Sequence, residues 1–291
     1  MGEQVADSQL VLYDYPISYN CQIVRLVLCE KGVPGQSKKV DIGPLMEHLR
    51  PWFMRINPKG AVPVLEHNGD VIIETEDIIR YIDGNFPGPS LIPSADEDRA
   101  MMEEWLALER SFPESDFTYG LVEQGTGKIV IKDMERRKRL INDHMKEASN
   151  MTAVYQEKLE MVTDWQDRLR DPDLVERLVE KLDEMLDKLE VHIGDCQFIA
   201  GSDYSLADAA WTALLGRLEM LGFKRMWSFG ARPHIENYYI GMKRRPSFLN
   251  APVCLKSSLW LVLRSALVAF WPQVSLAVGI FIVIMVALQL L

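Results

Sequence analysis

Cysteine is scarce in this chain, and its few cysteines stand apart from one another. The 291 residues include 4 cysteines and 5 histidines, none with the close spacing that metal ligands need. Cys21 and Cys29 lie eight residues apart on one predicted helix, about 12 Å along its axis, which is beyond the reach of a disulfide. The cytosol keeps such scattered thiols reduced. The sequence therefore argues against both a disulfide framework and a structural zinc site.

An excess of positive charge and an N-terminal targeting signal are also lacking. The formal net charge is -10, which argues against nucleic acid as a partner. The first ten residues have neither the basic region nor the apolar region of a secretory signal peptide. Ala6 occupies the position at which a myristoylation motif needs serine or threonine. The first 250 residues are therefore expected to fold in the cytosol.

Charge is missing altogether from residues 274–291. A helix of that length spans roughly 27 Å, which matches the hydrocarbon core of a thin bilayer. Glu236 is the last acidic residue, whereas basic residues continue from Lys243 to Arg264, so the preceding part of the chain should stay in the cytosol. We predict a hydrophobic tail over 257–291 that anchors the protein in membrane lipid through a transmembrane helix at 274–291. The alternative is an ordinary buried helix.

Hydrophobic patterning and turn residues predict a thioredoxin-like α+β domain over 9–88. Asn68-Gly69 favours a tight hairpin, and Gly32 is suited to close the first helix. The element order is βαβαββα. The predicted elements are a strand over 9–17, a helix over 20–32, a short strand near 39–42, a helix over about 44–56, a hairpin of 61–67 with 71–74, and a helix that starts near 75.

The next part of the chain, 95–250, is predicted to be an all-helical domain. Ser205 and Asp208 have the spacing of a capping box before an apolar helix, which is a structural pairing. A charged insertion of about 123–171 interrupts the domain and includes the basic run at 136–139. This run predicts a solvated helix face or, alternatively, a contact with anionic lipid or with a protein partner.

The stretch NPKGAVPVLEHNGDVIIETEDIIRYID resembles the N-terminal domain of glutathione transferases. The resemblance implies glutathione as a ligand or co-substrate. It places a cis-proline at Pro63, so that the main chain of Val62 can pair with the peptide backbone of glutathione. It also implies that Glu74 and Thr75 hold the γ-glutamyl end, where a helix N-terminus favours a carboxylate. Alternatively, Thr75 only caps the helix.

The resemblance assigns the catalytic position to Ser18, just before the first helix. In serine-type transferases this hydroxyl donates a hydrogen bond to the glutathione sulfur and lowers the pKa of the thiol. Thioredoxins have a reactive cysteine here, so Ser18 argues against dithiol exchange. Tyr19 could donate the same bond, Cys21 could form mixed disulfides, and Ser18 could alternatively be only a helix N-cap. By the same resemblance, His48 would contact the glycine carboxylate, whereas Ala61 replaces a lysine that theta-type transferases can have.

The whole arrangement resembles the ganglioside-induced differentiation-associated protein 1 family. HLRPWFMRINPKGAVPVL and FKRMWSFGARPHIENYY carry the resemblance, together with the charged insertion and the apolar tail. It implies a tail-anchored, cytosol-facing protein of the mitochondrial outer membrane that influences mitochondrial fission and network shape and has weak transferase activity. Because no basic residues follow the apolar run, the endoplasmic reticulum or the peroxisomal membrane is the alternative location.

The competing functional hypothesis is a membrane-associated transferase that conjugates glutathione to hydrophobic electrophiles. The resemblance to transferases also implies a homodimer. The helices that flank the insertion lie where ordinary transferases dimerise, so the usual dimer is expected to be altered.

Overall fold

A four-stranded sheet with helices on both faces forms the first part of the chain. The computed structural model describes residues 10–194 and 196–251. The strand order is β2-β1-β3-β4, with β1 and β2 parallel and the other pairs antiparallel. The elements are β1 (Leu10–Asp14), α1 (Tyr19–Lys31), β2 (Gln36–Lys39), a 3-10 turn (Glu47–Leu49), α2 (Pro51–Met54), β3 (Val64–His67), β4 (Asp70–Ile72) and α3 (Thr75–Asn85).

The two faces of the sheet follow from the alternation of side chains along β1. Leu12 belongs to the large core that includes the buried faces of α1 and α3. Its neighbour Tyr13 points to the other face, where its ring lies 6.1 Å from that of Phe53 in α2. The thioredoxin-like layout predicted from the sequence is therefore confirmed.

Local turn chemistry explains why the hairpin and the first helix end where they do. Asn68 and Gly69 both adopt positive φ, 54° and 94°, as a two-residue hairpin turn requires. Gly32 closes α1 with φ 65°, and its N–H donates to the carbonyl of Cys29 at 3.1 Å. Both predictions are confirmed. The second strand lies at Gln36–Lys39, about three residues before its predicted position. Its pairing with β1 begins with Gln36 opposite Val11.

The predicted helix over 44–56 is wrong. Asp41 Oδ1 accepts from the N–H groups of Gly43 at 2.9 Å and Leu45 at 3.2 Å, which holds the chain in a turn. Met46 then adopts φ 49°, which a continuous helix cannot contain. Pro51 lacks an N–H and starts a separate short helix. The apolar periodicity across this segment therefore reflects burial without a regular helix.

The second part of the chain is helical and packs around α9, whose residues are almost all buried. The predicted capping box is confirmed, because Asp208 Oδ2 accepts from the Ser205 N–H at 2.8 Å. Trp211 of the same helix is fully buried and donates from Nε1 to the Trp105 carbonyl at 3.0 Å. The helices are α4 (Asp96–Arg110), α5 (Glu114–Thr126), α6 (Ile129–Glu147), α7 (Thr152–Leu169), α8 (Leu174–Ile193), α9 (Leu206–Met220), α10 (Pro233–Lys243) and α11 (Pro246–Asn250), with 3-10 turns at Ser149–Met151 and Phe223–Met226.

Helices α6 and α7 occupy most of the charged insertion and bind the sheet domain through what we call the insertion seam, the contacts of Arg136, Arg137, Tyr155 and Lys158 with residues 42–60. Arg137 is only 6% exposed, and its Nη2 donates to the Ile42 carbonyl at 3.0 Å. The Tyr155 hydroxyl donates to the Leu49 carbonyl at 3.0 Å.

The solvated helix face predicted for 136–139 is therefore wrong at Arg137, because carbonyl oxygens of the sheet domain replace water there. Arg139, in contrast, is exposed. The predicted contact of this run with lipid or with a protein partner stays a prediction.

The predicted hydrophobic tail at 257–291 and its transmembrane helix at 274–291 lie outside the described residues. None of the helices between residues 10 and 251 combines the length and the apolar character needed to cross a bilayer.

Candidate functional site

A cavity of about 340 Å³ lies where the sheet domain meets the helical domain. The first turns of α1 and α3 both border it, so two helix N-termini share one space. Each N-terminus presents unpaired N–H groups and the positive end of a helix dipole, which favours anionic groups. The lining residues are Tyr19, Asn20, Ile23, Thr75, Glu76, Ile79, Leu106, Glu109, Arg110, the segment 112–116, Arg168 and Ala210.

Ser18 is the N-cap of α1, directly before the cavity-lining Tyr19. Its backbone is extended, with φ -65° and ψ 126°, and its Oγ accepts from the Cys21 N–H at 3.4 Å. Accepting this bond uses a lone pair of the oxygen and not its O–H. The N-cap interpretation is therefore confirmed, and it is compatible with a second hydrogen bond from Ser18 to a sulfur.

The structure separates Ser18 from the two alternatives next to it. The Tyr19 hydroxyl donates to Glu109 Oε1, and burial followed by the charge of Glu109 raises its pKa well above the ordinary value for tyrosine. Cys21 is fully buried, and burial raises the pKa of its thiol. A buried, neutral thiol is a poor partner for mixed disulfides. Of these three side chains, Ser18 alone is partly exposed.

Glu74 and Thr75 lie at the start of α3, whereas the side chain of Val62 packs with Tyr13 and Phe53 on the α2 face of the sheet. The Val62-Pro63 peptide bond is cis, and Val62 precedes β3, so its main chain stands outside the ladder that β3 forms with β1. Glu74 is the N-cap residue of α3 without a side-chain capping bond, and it pairs with Lys59 at the surface. Thr75 is the first helical residue and lines the cavity, so the alternative that Thr75 caps the helix is wrong.

His48 lies in the insertion seam, away from the residues that line the cavity. It is 4% exposed, its Nδ1 lies 3.4 Å from the Asp41 carbonyl, and its Nε2 lies 3.1 Å from Arg137 Nη1. Burial, followed by the charges of Arg137 and Lys158, holds the pKa of His48 well below the ordinary value for histidine. The imidazole is therefore neutral at neutral pH, which weakens it as a partner for a carboxylate.

Lys158 provides a cation close to Ala61, the position at which the sequence lacks one. Its Nζ donates to the main-chain oxygens of Lys59 at 2.6 Å and Gly60 at 3.2 Å. Burial lowers its pKa to about 8, and the neighbouring charge of Arg137 acts in the same direction. This lysine comes from α7, so the insertion places a positive charge beside the loop that leads to the cis-proline.

Glu109 is a site residue that the sequence-based prediction missed. It is 7% exposed, lines the cavity and accepts the hydrogen bond from Tyr19. Burial raises the pKa of its carboxyl to about 7, the charge of Glu114 acts in the same direction, and the Tyr19 hydroxyl partly opposes both. The signal in the sequence is helical spacing, because Glu109 follows the buried Met102 and Trp105 on one face of α4.

Two ion pairs flank this carboxyl at the cavity. Arg217 of α9 lies 3.0 Å from Glu114, and its Nη2 donates to the Ile17 carbonyl just before Ser18. Arg168 of α7 donates to Asp116 at 2.8 Å, so the insertion also contributes to the lining of the cavity. The cavity thus combines an apolar wall, two helix N-termini and one buried acid, Glu109, which has no basic partner in the part of the chain that the structure describes.

Family comparisons agree with this geometry. The model of the glutathione S-transferase N-terminal domain matches residues 12–90, and that of the C-terminal domain matches residues 172–240. The tetrachloro-p-hydroquinone reductive dehalogenase of Sphingobium chlorophenolicum is 31% identical over 246 residues, which cover 84% of this chain and 96% of that protein. The human ganglioside-induced differentiation-associated protein 1-like 1 is 29% identical over 266 residues, 82% of this chain and 72% of that protein.

Solved structures share the fold. The β-etherase LigF from a Sphingobium strain superposes with a TM-score of 0.68 at 24% identity, and the match covers 84% of this chain and 98% of that one. A glutathione S-transferase of Methylobacillus flagellatus with glutathione bound has a TM-score of 0.60 at 19% identity and covers 83% and 98% of the two chains. At these identities the likeness establishes the architecture alone.

Proposed function

Because the chain belongs to the glutathione S-transferase superfamily, we propose that it binds glutathione at the cavity between α1, α3 and α4 and transfers it to apolar electrophiles. The observation that carries this proposal is the meeting of two helix N-termini at one cavity, with Ser18 capping one helix and Thr75 opening the other. Bound glutathione would place its thiolate at the N-terminus of α1 and its γ-glutamyl carboxylate at that of α3. The matches to the glutathione S-transferase N-terminal and C-terminal domain models support the same ligand.

In this proposal each predicted residue has a distinct task. The Ser18 hydroxyl donates to the glutathione sulfur, and the N-terminus of α1 adds a positive potential, so that the thiol pKa falls and the nucleophilic thiolate is favoured. Thr75 and the N-terminus of α3 hold the γ-glutamyl carboxylate, while Glu74 meets its ammonium group. The main chain of Val62 pairs with the peptide backbone of glutathione. Lys158 is a better candidate than the neutral His48 for a contact with the glycine carboxylate of glutathione.

The electrophile would lie against the apolar wall of the cavity, which includes Ile23, Ile79, Leu106 and Phe112. A volume of about 340 Å³ suits a compact aromatic or short aliphatic compound. The relative named as a reductive dehalogenase acts on a chlorinated hydroquinone, which is a compound of that size.

Substitution of Ser18 tests the enzyme directly. We expect Ser18→Ala to lower kcat/KM for chlorodinitrobenzene by about 100-fold, because the thiolate loses its hydrogen-bond donor, while the dissociation constant of glutathione changes little. Calorimetric titration with glutathione measures binding, and the aryl halide assay measures turnover. Absence of saturable glutathione binding to the wild type would exclude the enzyme.

Two further variants separate the helix cap from the catalytic hydroxyl. Ser18→Thr keeps both the capping oxygen and the O–H donor, so it should retain most of the activity. Ser18→Asp keeps the cap but cannot donate to the sulfur, so it should be as stable as the wild type and as inactive as Ser18→Ala. Equal turnover in Ser18→Ala and wild type would remove Ser18 from the mechanism.

We further propose that the hydrophobic tail holds this domain at a membrane, facing the cytosol. The uncharged run at 274–291 and the relationship to ganglioside-induced differentiation-associated protein 1-like proteins support this second function. The mitochondrial outer membrane, with an influence on fission and network shape, is the proposed location; the endoplasmic reticulum and peroxisomes are the alternatives. The insertion would then be the surface open to protein partners, and a homodimer remains part of the proposal.

A charge in the middle of the run should release the protein from the membrane. We expect Ile284→Arg to move most of the protein from the carbonate-resistant membrane fraction to the soluble fraction, because an arginine at the centre of the bilayer costs about 3 kcal/mol. Gln289→Arg, near the end of the run, is the control and should stay in the membrane fraction. Imaging of the two variants with organelle markers reports location and mitochondrial network shape. Equal extraction of both variants would contradict the anchor.

A further inference from the structure

We propose that Glu109 is a catalytic acid, which protonates the electrophile after the glutathione sulfur has added to it. The cavity would then favour conjugate-addition acceptors, such as α,β-unsaturated aldehydes and ketones. This inference rests on the proposed transferase function and assigns a further catalytic residue to it. It is carried by the position of Glu109, a buried carboxyl that lines the cavity and accepts a hydrogen bond from a side chain of α1.

That side chain is Tyr19, which immediately follows Ser18. The Tyr19 hydroxyl donates to Glu109 Oε1, so the first turn of α1 orients the carboxyl. In the proposed function, Ser18 at the start of the same turn holds the glutathione thiol. Tyr19 is therefore a positioning residue. Its backbone lies at the N-terminus of α1 and its ring crosses to α4, which links Ser18 and Glu109 through a single rigid group.

Within residues 10–194 and 196–251, no basic side chain forms an ion pair with Glu109. Arg217 of α9, the cation that approaches from that side, is paired with Glu114 at 3.0 Å. Arg110, the next residue of α4, is paired with Glu76 of α3. The charged and titratable groups that line the cavity around Glu109 are Tyr19 of α1, Glu76 of α3, Arg110 of α4, Glu114 and Asp116 of α5 and Arg168 of α7. Arg217 of α9 approaches from behind Glu114, with which it is paired.

Burial and the neighbouring charge of Glu114 raise the pKa of Glu109 to about 7, although the hydrogen bond from Tyr19 opposes this shift. A large fraction of the carboxyl is therefore protonated near neutral pH. A neutral acid within an apolar wall is the group that can deliver a proton to a developing enolate.

The proposed step conserves atoms and electrons. The thiolate sulfur forms a C–S bond to the β-carbon of the acceptor, and the alkene electron pair moves toward the carbonyl oxygen to give an enolate. Glu109 transfers its carboxyl proton to this enolate and becomes a carboxylate. Water entering the cavity returns one proton to Glu109, which balances the proton that the thiol releases when it ionises.

Substitution on an aryl halide needs no such proton. With chlorodinitrobenzene the C–S bond forms, the C–Cl bond breaks, and chloride leaves with the bonding pair. Glu109 should therefore affect addition and leave substitution almost unchanged. The two reactions share glutathione binding and thiol ionisation. The ratio of their kcat/KM values therefore measures the contribution of Glu109 to the addition reaction alone.

Cinnamaldehyde and chlorodinitrobenzene are suitable probes for this ratio. In the full-length wild type we expect the addition-to-substitution ratio to be constant at low pH and to fall tenfold per pH unit above the pKa of Glu109, because the acid form is lost there. Glu109→Gln should lower kcat/KM for cinnamaldehyde by about 100-fold at pH 6.5, change chlorodinitrobenzene less than twofold, and give a ratio that does not vary with pH.

Two other variants complete the experiment. Glu104→Gln removes an exposed carboxyl from the same helix, so it should behave like the wild type. Tyr19→Phe removes the hydrogen bond that lowers the pKa of Glu109, so the fall in the ratio should move to higher pH.

The outcomes distinguish this inference from the proposed function. A flat ratio in the wild type, an unchanged ratio in Glu109→Gln, or an equal loss of both reactions would overturn the role of Glu109 while glutathione transfer stands. A shift of the fall to lower pH in Tyr19→Phe would also overturn it. If the wild type neither binds glutathione nor turns over either probe, the transferase itself is excluded.

Discussion

Replacing Asp208 by alanine is expected to lower the free energy of unfolding by about 4 kcal/mol. Asp208 is fully buried and joins three segments of the helical domain. It accepts from the N–H of Ile199 at 2.9 Å, from both the N–H and the Oγ of Ser205 at 2.8 Å, and from the hydroxyl of Tyr238 at 2.9 Å. Alanine would leave these donors buried without an acceptor. Urea denaturation followed by circular dichroism gives the change.

Two comparisons show whether the loss comes from this network. Asp208→Asn keeps the shape but places an amide NH₂ against some of the donors, so an intermediate loss is expected. Asp203→Ala removes an exposed carboxylate close by in sequence and should change stability by less than about 0.5 kcal/mol. A loss below about 1 kcal/mol in Asp208→Ala would show that water or rearranged side chains satisfy the donors.

Replacing Arg137 by methionine should cost about 3 kcal/mol, because it removes the centre of the insertion seam. The guanidinium donates to the Ile42 carbonyl at 3.0 Å, lies 3.1 Å from His48 Nε2 and pairs with Asp133 at 2.8 Å. Methionine fills a similar volume but leaves these buried groups unpaired. Thermal unfolding measures the loss, and hydrogen exchange at residues 42–60 reports whether the insertion separates from the sheet domain.

Arg139→Met is the matched control, because it removes the same charge from the same basic run. Arg139 is exposed, so its loss should change stability by less than about 0.5 kcal/mol. If both variants unfold at the wild-type temperature, the seam contributes nothing to stability. Binding of the protein to anionic lipid vesicles tests the predicted lipid contact of the basic run at 136–139. If Arg139→Met weakens this binding and Arg137→Met does not, the exposed part of the run is the part that contacts lipid.

Local chemistry made much of the fold predictable. The hairpin at Asn68-Gly69, the end of α1 at Gly32 and the capping box of Ser205 with Asp208 each depend on residues within a few positions of one another. The prediction of a helix over 44–56 is wrong for a related reason. A side-chain turn at Asp41 and a left-handed Met46 overrode an apolar periodicity that looked helical.

The candidate site could be predicted only in part. Family motifs identified Ser18, Val62, Glu74 and Thr75 as candidates, but they could not show which hydroxyl remains free to donate. That depends on Glu109, which lies 90 positions from Tyr19 in the chain and captures its hydroxyl. No short motif links two residues so far apart.

The sequence by itself determined the element order, the helix caps and turns, the superfamily and the uncharged run at 274–291, because each of these is written in neighbouring residues. The tertiary structure decided that burial raises the pKa of Glu109, that His48 is neutral, and that Arg137 binds the sheet domain. Ionisation and burial depend on the groups that surround a side chain in space, and in each of these cases those groups come from distant parts of the chain.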